Sequence, residues 1–144
     1  DNDFARIRAS LGLLNSRYNG YNSPAGEDLN GRDQAHAPSY QYSVSATFGG
    51  VSDWFGDISI QGQDGFYFSD THDFQSDAHA LIHLGLGRYI GDFEAHFWIK
   101  NLFDQEYSVR GFFFGNDPRT GYADTGWTQL GNPRQFGISI RRDF

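Results

Sequence analysis

The sequence predicts an all-β chain, a transmembrane antiparallel up-and-down β-barrel segment of about six strands in three hairpins. Three observations carry this. Apolar and polar residues alternate, most clearly where Tyr40, Tyr42, Val44, Ala46 and Phe48 interleave with Gln41, Ser43, Ser45 and Thr47; period two means a strand with different surroundings on its two faces. Connections alternate in length, with 16–37, 69–77 and 105–131 long and 49–53 and 90–91 short. A soluble sandwich has no reason to sort its loops this way, whereas outer-membrane barrels do. Finally, no apolar run approaches a membrane-spanning helix. An aromatic content of 17% with 18 glycines and 4 prolines suits strands and turns.

The elements follow in order. Residues 3–15 read as a first strand, with Ile7, Ala9, Leu11 and Leu13 on one face and Arg6, Arg8, Ser10 and Gly12 on the other. Residues 16–37 carry Asn-Gly, Ser-Pro and Gly-Arg-Asp punctuation and read as a structureless outer loop. Pro38 opens the second strand, where a missing N–H is tolerated. The third strand runs from Trp54 to about Phe68, with Trp54, Ile58, Ile60, Phe66 and Phe68 of one parity. Pairing Phe48 with Trp54 sets Val44 by Ile58 and Tyr42 by Ile60, so the apolar faces coincide. The fourth strand, 78–89, turns at Ile90-Gly91 into a fifth, 92–100. Pairing Tyr89 with Asp92 places Leu84 by Phe97 and Ile82 by Ile99, and on the other face Gly85 by His96. The last strand, 136–144, alternates Phe136, Ile138 and Ile140 with Gly137, Ser139 and Arg141.

Composition excludes several classes. The net charge of −7 argues against a nucleic-acid partner, and the absence of cysteine removes disulfides and thiolate metal sites. The absence of methionine points to a processed or excised piece. No Ser/His/Asp arrangement and no phosphate loop is present, so no enzyme is expected and no cofactor is assigned.

The end of the chain carries two motifs. Asn101-Leu102-Phe103-Asp104 with Tyr107, and Gly131-Asn132-Pro133-Arg134-Gln135-Phe136-Gly137 running to a terminal Phe144, together resemble the closing part of TonB-dependent outer-membrane receptors. In that family a plug fills a barrel of about 22 strands. The resemblance implies bacterial outer-membrane location and contact with membrane lipid. It also implies energised uptake of a scarce extracellular ligand, such as an iron chelate, cobalamin or an oligosaccharide. This chain would be the last part of the barrel, supplying wall, outer loops and, at Phe144, the signal read by the barrel-assembly machinery. The plug and its TonB-binding box would lie outside it, so TonB is a partner only through that plug. Two other readings stay open: a soluble all-β glycan-binding module and a passive porin-like channel.

Candidate site residues are few. His79, His83 and His96 share one predicted face; their spacing matches no compact metal motif, so polar lining of the interior is expected and no metal is assigned. Asp117 and Asp124 could bind a cation or a substrate, but Asn-Asp-Pro-Arg-Thr-Gly explains Asp117 as turn chemistry. Phe112, Phe113, Phe114, Tyr122 and Trp127 fall in the longest loop. They either grip an apolar or sugar-like ligand or pack the loop against its neighbours. Arg141 and Arg142 are expected as rim or lumen charges.

Overall fold

A computed structural model describes residues 4–142. The strands are β1 (Phe4–Leu13), β2 (Tyr40–Val51), β3 (Trp54–Gln63), β4 (His79–Ile90), β5 (Phe93–Lys100), β6 (Ser108–Phe114), β7 (Thr125–Leu130) and β8 (Gln135–Arg142). They form a six-stranded antiparallel sheet in the order β1-β2-β3-β4-β5-β8 and a separate β6-β7 ribbon. The fold is therefore all-β and antiparallel. The sheet is open, and among the described residues no strand pairs the outer edge of β1 or of β8. Phe144 and the first residue of the predicted first strand, Asp3, lie outside the described residues.

Parity holds across the sheet, but register departs from the expectation in both tight hairpins. β2 meets β3 with Val51 opposite Trp54 and a bulge between Phe48 and Val51, so Val44 faces Ile60 and Ala46 faces Ile58. The cause is the turn. Ser52 and Asp53 both have positive φ, 51° and 67°, which matches the right-handed strand twist in a two-residue hairpin. β4 meets β5 with Ile90 opposite Phe93 around Gly91-Asp92, so Leu84 faces Ile99 and Gly87 faces His96. Gly91 at φ 60° takes the first turn position, where that backbone favours glycine. Both shifts are of two residues, which leaves every side chain on its expected face.

The apolar face runs unbroken through the register. Ile7, Ala46, Ile58, Leu84, Ile99 and Phe136 form one row; Phe48, Gly56, Leu86, Phe97 and Ile138 form the next. Tyr42 lies over Gly62 and Phe48 over Gly56, where any added Cβ would meet the ring. On the polar face Phe55 covers Gly87 and Trp98 covers Gly137. Large residues thus use space that glycine leaves on the neighbouring strand.

The core is not where a soluble sheet would keep it. Among the described residues the buried apolar ones are Leu29, Phe66, Phe68 and Leu81, and no large side chain is fully buried. The apolar strand face is open instead. Ile7 is 74% exposed and Ile138 70% at the edges, and even the inner Ile58 and Phe97 are 40% and 43% exposed. Fully burying one such side chain contributes about 1.5–3 kcal/mol, so this face leaves unburied on the order of 10–20 kcal/mol. That is comparable with the whole net stability of a domain, about 5–15 kcal/mol.

Three long connections leave the same end of the sheet, and they are more ordered than their composition predicts. Residues 14–39 are closed by the Arg17–Asp33 and Asn22–Asp28 bridges and anchored by buried Leu29. The predicted third strand stops at Gln63 rather than near Phe68. Phe66 and Phe68 leave the sheet, meet edge to face at 5.5 Å, and are buried among the loops. The third connection, predicted as a loop over 105–131, contains the β6-β7 hairpin.

Candidate functional site

Two arrangements stand out at the loop end of the sheet. The first joins the two sequence motifs. Asn101 follows β5 with φ 51°, a conformation Asn tolerates better than most residues. Its side chain is spent on the backbone: Nδ2 donates to Gln105 O at 2.9 Å and to Asn132 O at 3.1 Å, and Oδ1 accepts from Gln105 N–H at 2.9 Å. Its own N–H donates to His83 Nδ1 at 3.0 Å. Leu102 N–H donates to Ile82 O, and Asp104 accepts from Arg134 N–H at 2.7 Å. Tyr107 stacks on His79 at 4.6 Å, and its other side lies against Gly131, where an added Cβ would overlap the ring. Phe103 is 73% exposed. The motifs therefore act on each other. One ends β5, the other starts β8, and together they fix where the hairpin between them leaves the sheet.

The second arrangement is that hairpin. Phe112 pairs with Trp127 and Phe113 with Gly126, so alternation splits the three consecutive phenylalanines between two faces. Phe113 meets His72 at 5.1 Å, and Gly111 and Gly126 receive the Phe68 and Phe74 rings. This face is docked on connection 64–78. The other face carries Phe112, Phe114 and Trp127, each between 41% and 45% exposed, about as much as Phe113 at 44%; the faces differ in their partners rather than in exposure. Phe114 and Trp127 lie 6.3 Å apart, Arg110 sits 5.0 Å over Phe112, and Trp127 Nε1 donates to Phe114 O at 3.2 Å. The structure thus brings three of the five predicted aromatics together. Phe113 points to the docked face. Tyr122 stands apart at the tip, 65% exposed.

The remaining candidates separate. Asp117 caps the short 3-10 turn Pro118–Thr120 and holds Arg119 at 2.8 Å. Those hydrogen bonds to the Arg119 side chain and backbone lower the Asp117 pKa and raise that of Arg119. Asp117 is a turn residue, and Asp124 precedes β7 outside that contact. The three histidines do not converge: His83 is capped by Asn101, His79 is stacked on Tyr107, and His96 faces Asp57 at 3.7 Å beside Phe55. Among the described residues no group of three or more His, Cys, Asp or Glu side chains could hold a metal ion. Arg141 pairs with Glu94 at 2.7 Å on the polar face.

Sequence reasoning missed the loop core. Arg32 ties 14–39 to 64–78 by bonding Asp73 and the Ser69 carbonyl and by lying 4.0 Å over the Tyr67 ring. Burial raises the Tyr18 pKa in the same region, with the Asp70 charge adding to it. Phe68 and Phe74 carry the docking of the hairpin, and the signal in the sequence is the pair Gly111 and Gly126 flanking the aromatic runs. No family model and no solved structure matches the chain.

Proposed function

We propose that this chain is the lipid-facing wall and outer-loop portion of a TonB-dependent receptor barrel in a bacterial outer membrane, serving energised uptake of a scarce extracellular ligand. The observation that supports this most is the continuous exposed apolar face. Its strands β1 to β4 are 10 to 12 residues long, and a tilted membrane strand needs about 9–11. Aromatics bound the face at both ends. Tyr40 and Tyr42 stack at 6.4 Å towards the loops; at the turns Arg88 lies over Trp54 and Arg142 over Phe93. Aromatic girdles with cationic neighbours at the headgroup level are the expected pattern for such a wall. No helix among the described residues is long and apolar enough to cross a membrane. In this reading Phe112, Phe114 and Trp127 meet the ligand on the outside, and TonB acts only through a plug that is not among these residues.

The test is the state of the chain with and without detergent. It should aggregate in plain buffer and become monodisperse in micelles, because the apolar face and both sheet edges need cover. A monodisperse monomer that melts cooperatively in plain buffer would favour a soluble glycan-binding module instead.

A further inference from the structure

The polar face divides into two halves. Near the short turns it is filled by aromatic-on-glycine pairs and by Asp57 against His96. Near the loops it is hollow. Three neighbouring cavities of about 430, 410 and 400 Å³ lie there and share Gln61; each is within the usual range for small-ligand sites, about 300–1,000 Å³.

The chemistry of this trough is narrow. Among the described residues no carboxylate lines any of the three cavities, Lys100 at one end is the only Lys or Arg side chain, and His36, His79 and His83 also line them. The walls carry neutral donors and acceptors: the Gln41, Gln61 and Gln63 amides and the Ser59 and Tyr107 hydroxyls. Most of that capacity is unspent. Gln41 and Gln63 share one long bond of 3.5 Å, while Gln61, Ser59 and the Tyr107 hydroxyl make no side-chain hydrogen bond to another described residue.

We propose that this trough binds an uncharged, polyhydroxylated ligand, a neutral oligosaccharide, along rows formed by β2, β3 and β4. Amides and hydroxyls both donate and accept, as sugar hydroxyls do. An anionic chelate would find one lysine and a chain of net charge −7, so the wall selects against it. The inference narrows the ligand class of the uptake reading but uses only the polar face. A chain that enters micelles and binds no sugar fails this inference and not the membrane reading.

The experiment uses the ¹⁵N-labelled chain in a sugar-free zwitterionic detergent, titrated with maltohexaose and, separately, with hexagalacturonate. Maltohexaose should move the side-chain amide signals of Gln41, Gln61 and Gln63, with or without a shift of the Trp127 indole signal on the outer hairpin face. Hexagalacturonate should bind at least about tenfold more weakly, the loss of roughly one charged mismatch. Gln61→Leu with Gln63→Leu should weaken maltohexaose binding about tenfold, with the strand amide spectrum otherwise retained. If that pair fails to fold, Ser59→Ala, a smaller change, should still weaken binding severalfold. No amide shift up to the solubility limit of the sugar, tighter binding of the anionic oligomer, or shifts confined to Trp127 would each overturn the proposal.

Discussion

The Asp104 carboxylate accepts a 2.7 Å hydrogen bond from the backbone N–H of Arg134, thirty residues further along the chain. With Asn101 reaching Asn132 O, this contact closes the base of the β6-β7 hairpin. Two short motifs that look independent in the sequence are two sides of one joint.

Removing that joint should be costly. Asn101 is 3% exposed, and Asn101→Ala deletes three side-chain hydrogen bonds and leaves their backbone partners unpaired. The expected loss is about 2–4 kcal/mol. Asn101→Gly relieves the positive φ but loses the same bonds, so it should be nearly as damaging. Asp104→Ala should cost only about 1 kcal/mol, since its partner can reach water. Urea titration in micelles measures all three. A neutral Asn101→Ala would show that the joint is not what holds the hairpin base.

The docking of the hairpin can be loosened separately. Gly111→Ala places a methyl group into the Phe68 ring, an overpacking expected to cost about 1–3 kcal/mol. Protease cleavage within 105–131 should quicken while the six-stranded sheet stays resistant. Unchanged cleavage would mean that the hairpin does not rest on Phe68.

The hairpin tip has a defined pH response. The folded Asp117 pKa is depressed by Arg119, so its stabilisation is full above the unfolded value, near 3.9, and is lost as pH falls through the lower folded value. The tip should be indifferent to pH between neutrality and mild acid and loosen only in strong acid. The Arg119 amide, bonded to Asp117 Oδ1 at 2.9 Å, should report this as an NMR titration with a midpoint below that of an ordinary Asp. Asp117→Asn should abolish the inflection, and a midpoint at or above the ordinary value would contradict the assignment.

On the outer face of the hairpin, Phe112→Ala and Trp127→Ala should each weaken ligand capture by an intact receptor by about 1–3 kcal/mol, the apolar burial of one ring. Tyr122→Ala, at the isolated tip, should change little. Uptake at the normal rate in the Phe112→Ala, Trp127→Ala double variant would leave these rings a packing role only.

What the sequence disclosed follows from period two. Any register shift by an even number keeps faces, so the apolar face through Ile58, Leu84 and Phe97 was legible although both tight hairpins pair two residues away from the expectation. The bulge after Phe48 depends on backbone angles at Gly50, Ser52 and Asp53, which residue types alone do not dictate. Phe66 and Phe68 continued the parity of β3 and so read as strand; their departure depends on Gly65 passing close to Ser76, a contact distant in sequence. The β6-β7 hairpin was hidden because Phe112, Phe113 and Phe114 run consecutively and show no alternation. Its two faces exist only once Phe68 and Phe74 arrive from another loop.

In the proposed barrel the face through Leu84 meets lipid and the face through Ser59 does not. The chain has no cysteine, so single Leu84→Cys and Ser59→Cys variants can each carry one spin label after reconstitution into lipid bilayers. Collision with oxygen, which concentrates in the hydrocarbon, should be high at Leu84 and low at Ser59, and collision with a water-soluble nickel complex should show the opposite order. Equal oxygen access at the two sites, or the reverse order, would contradict the account.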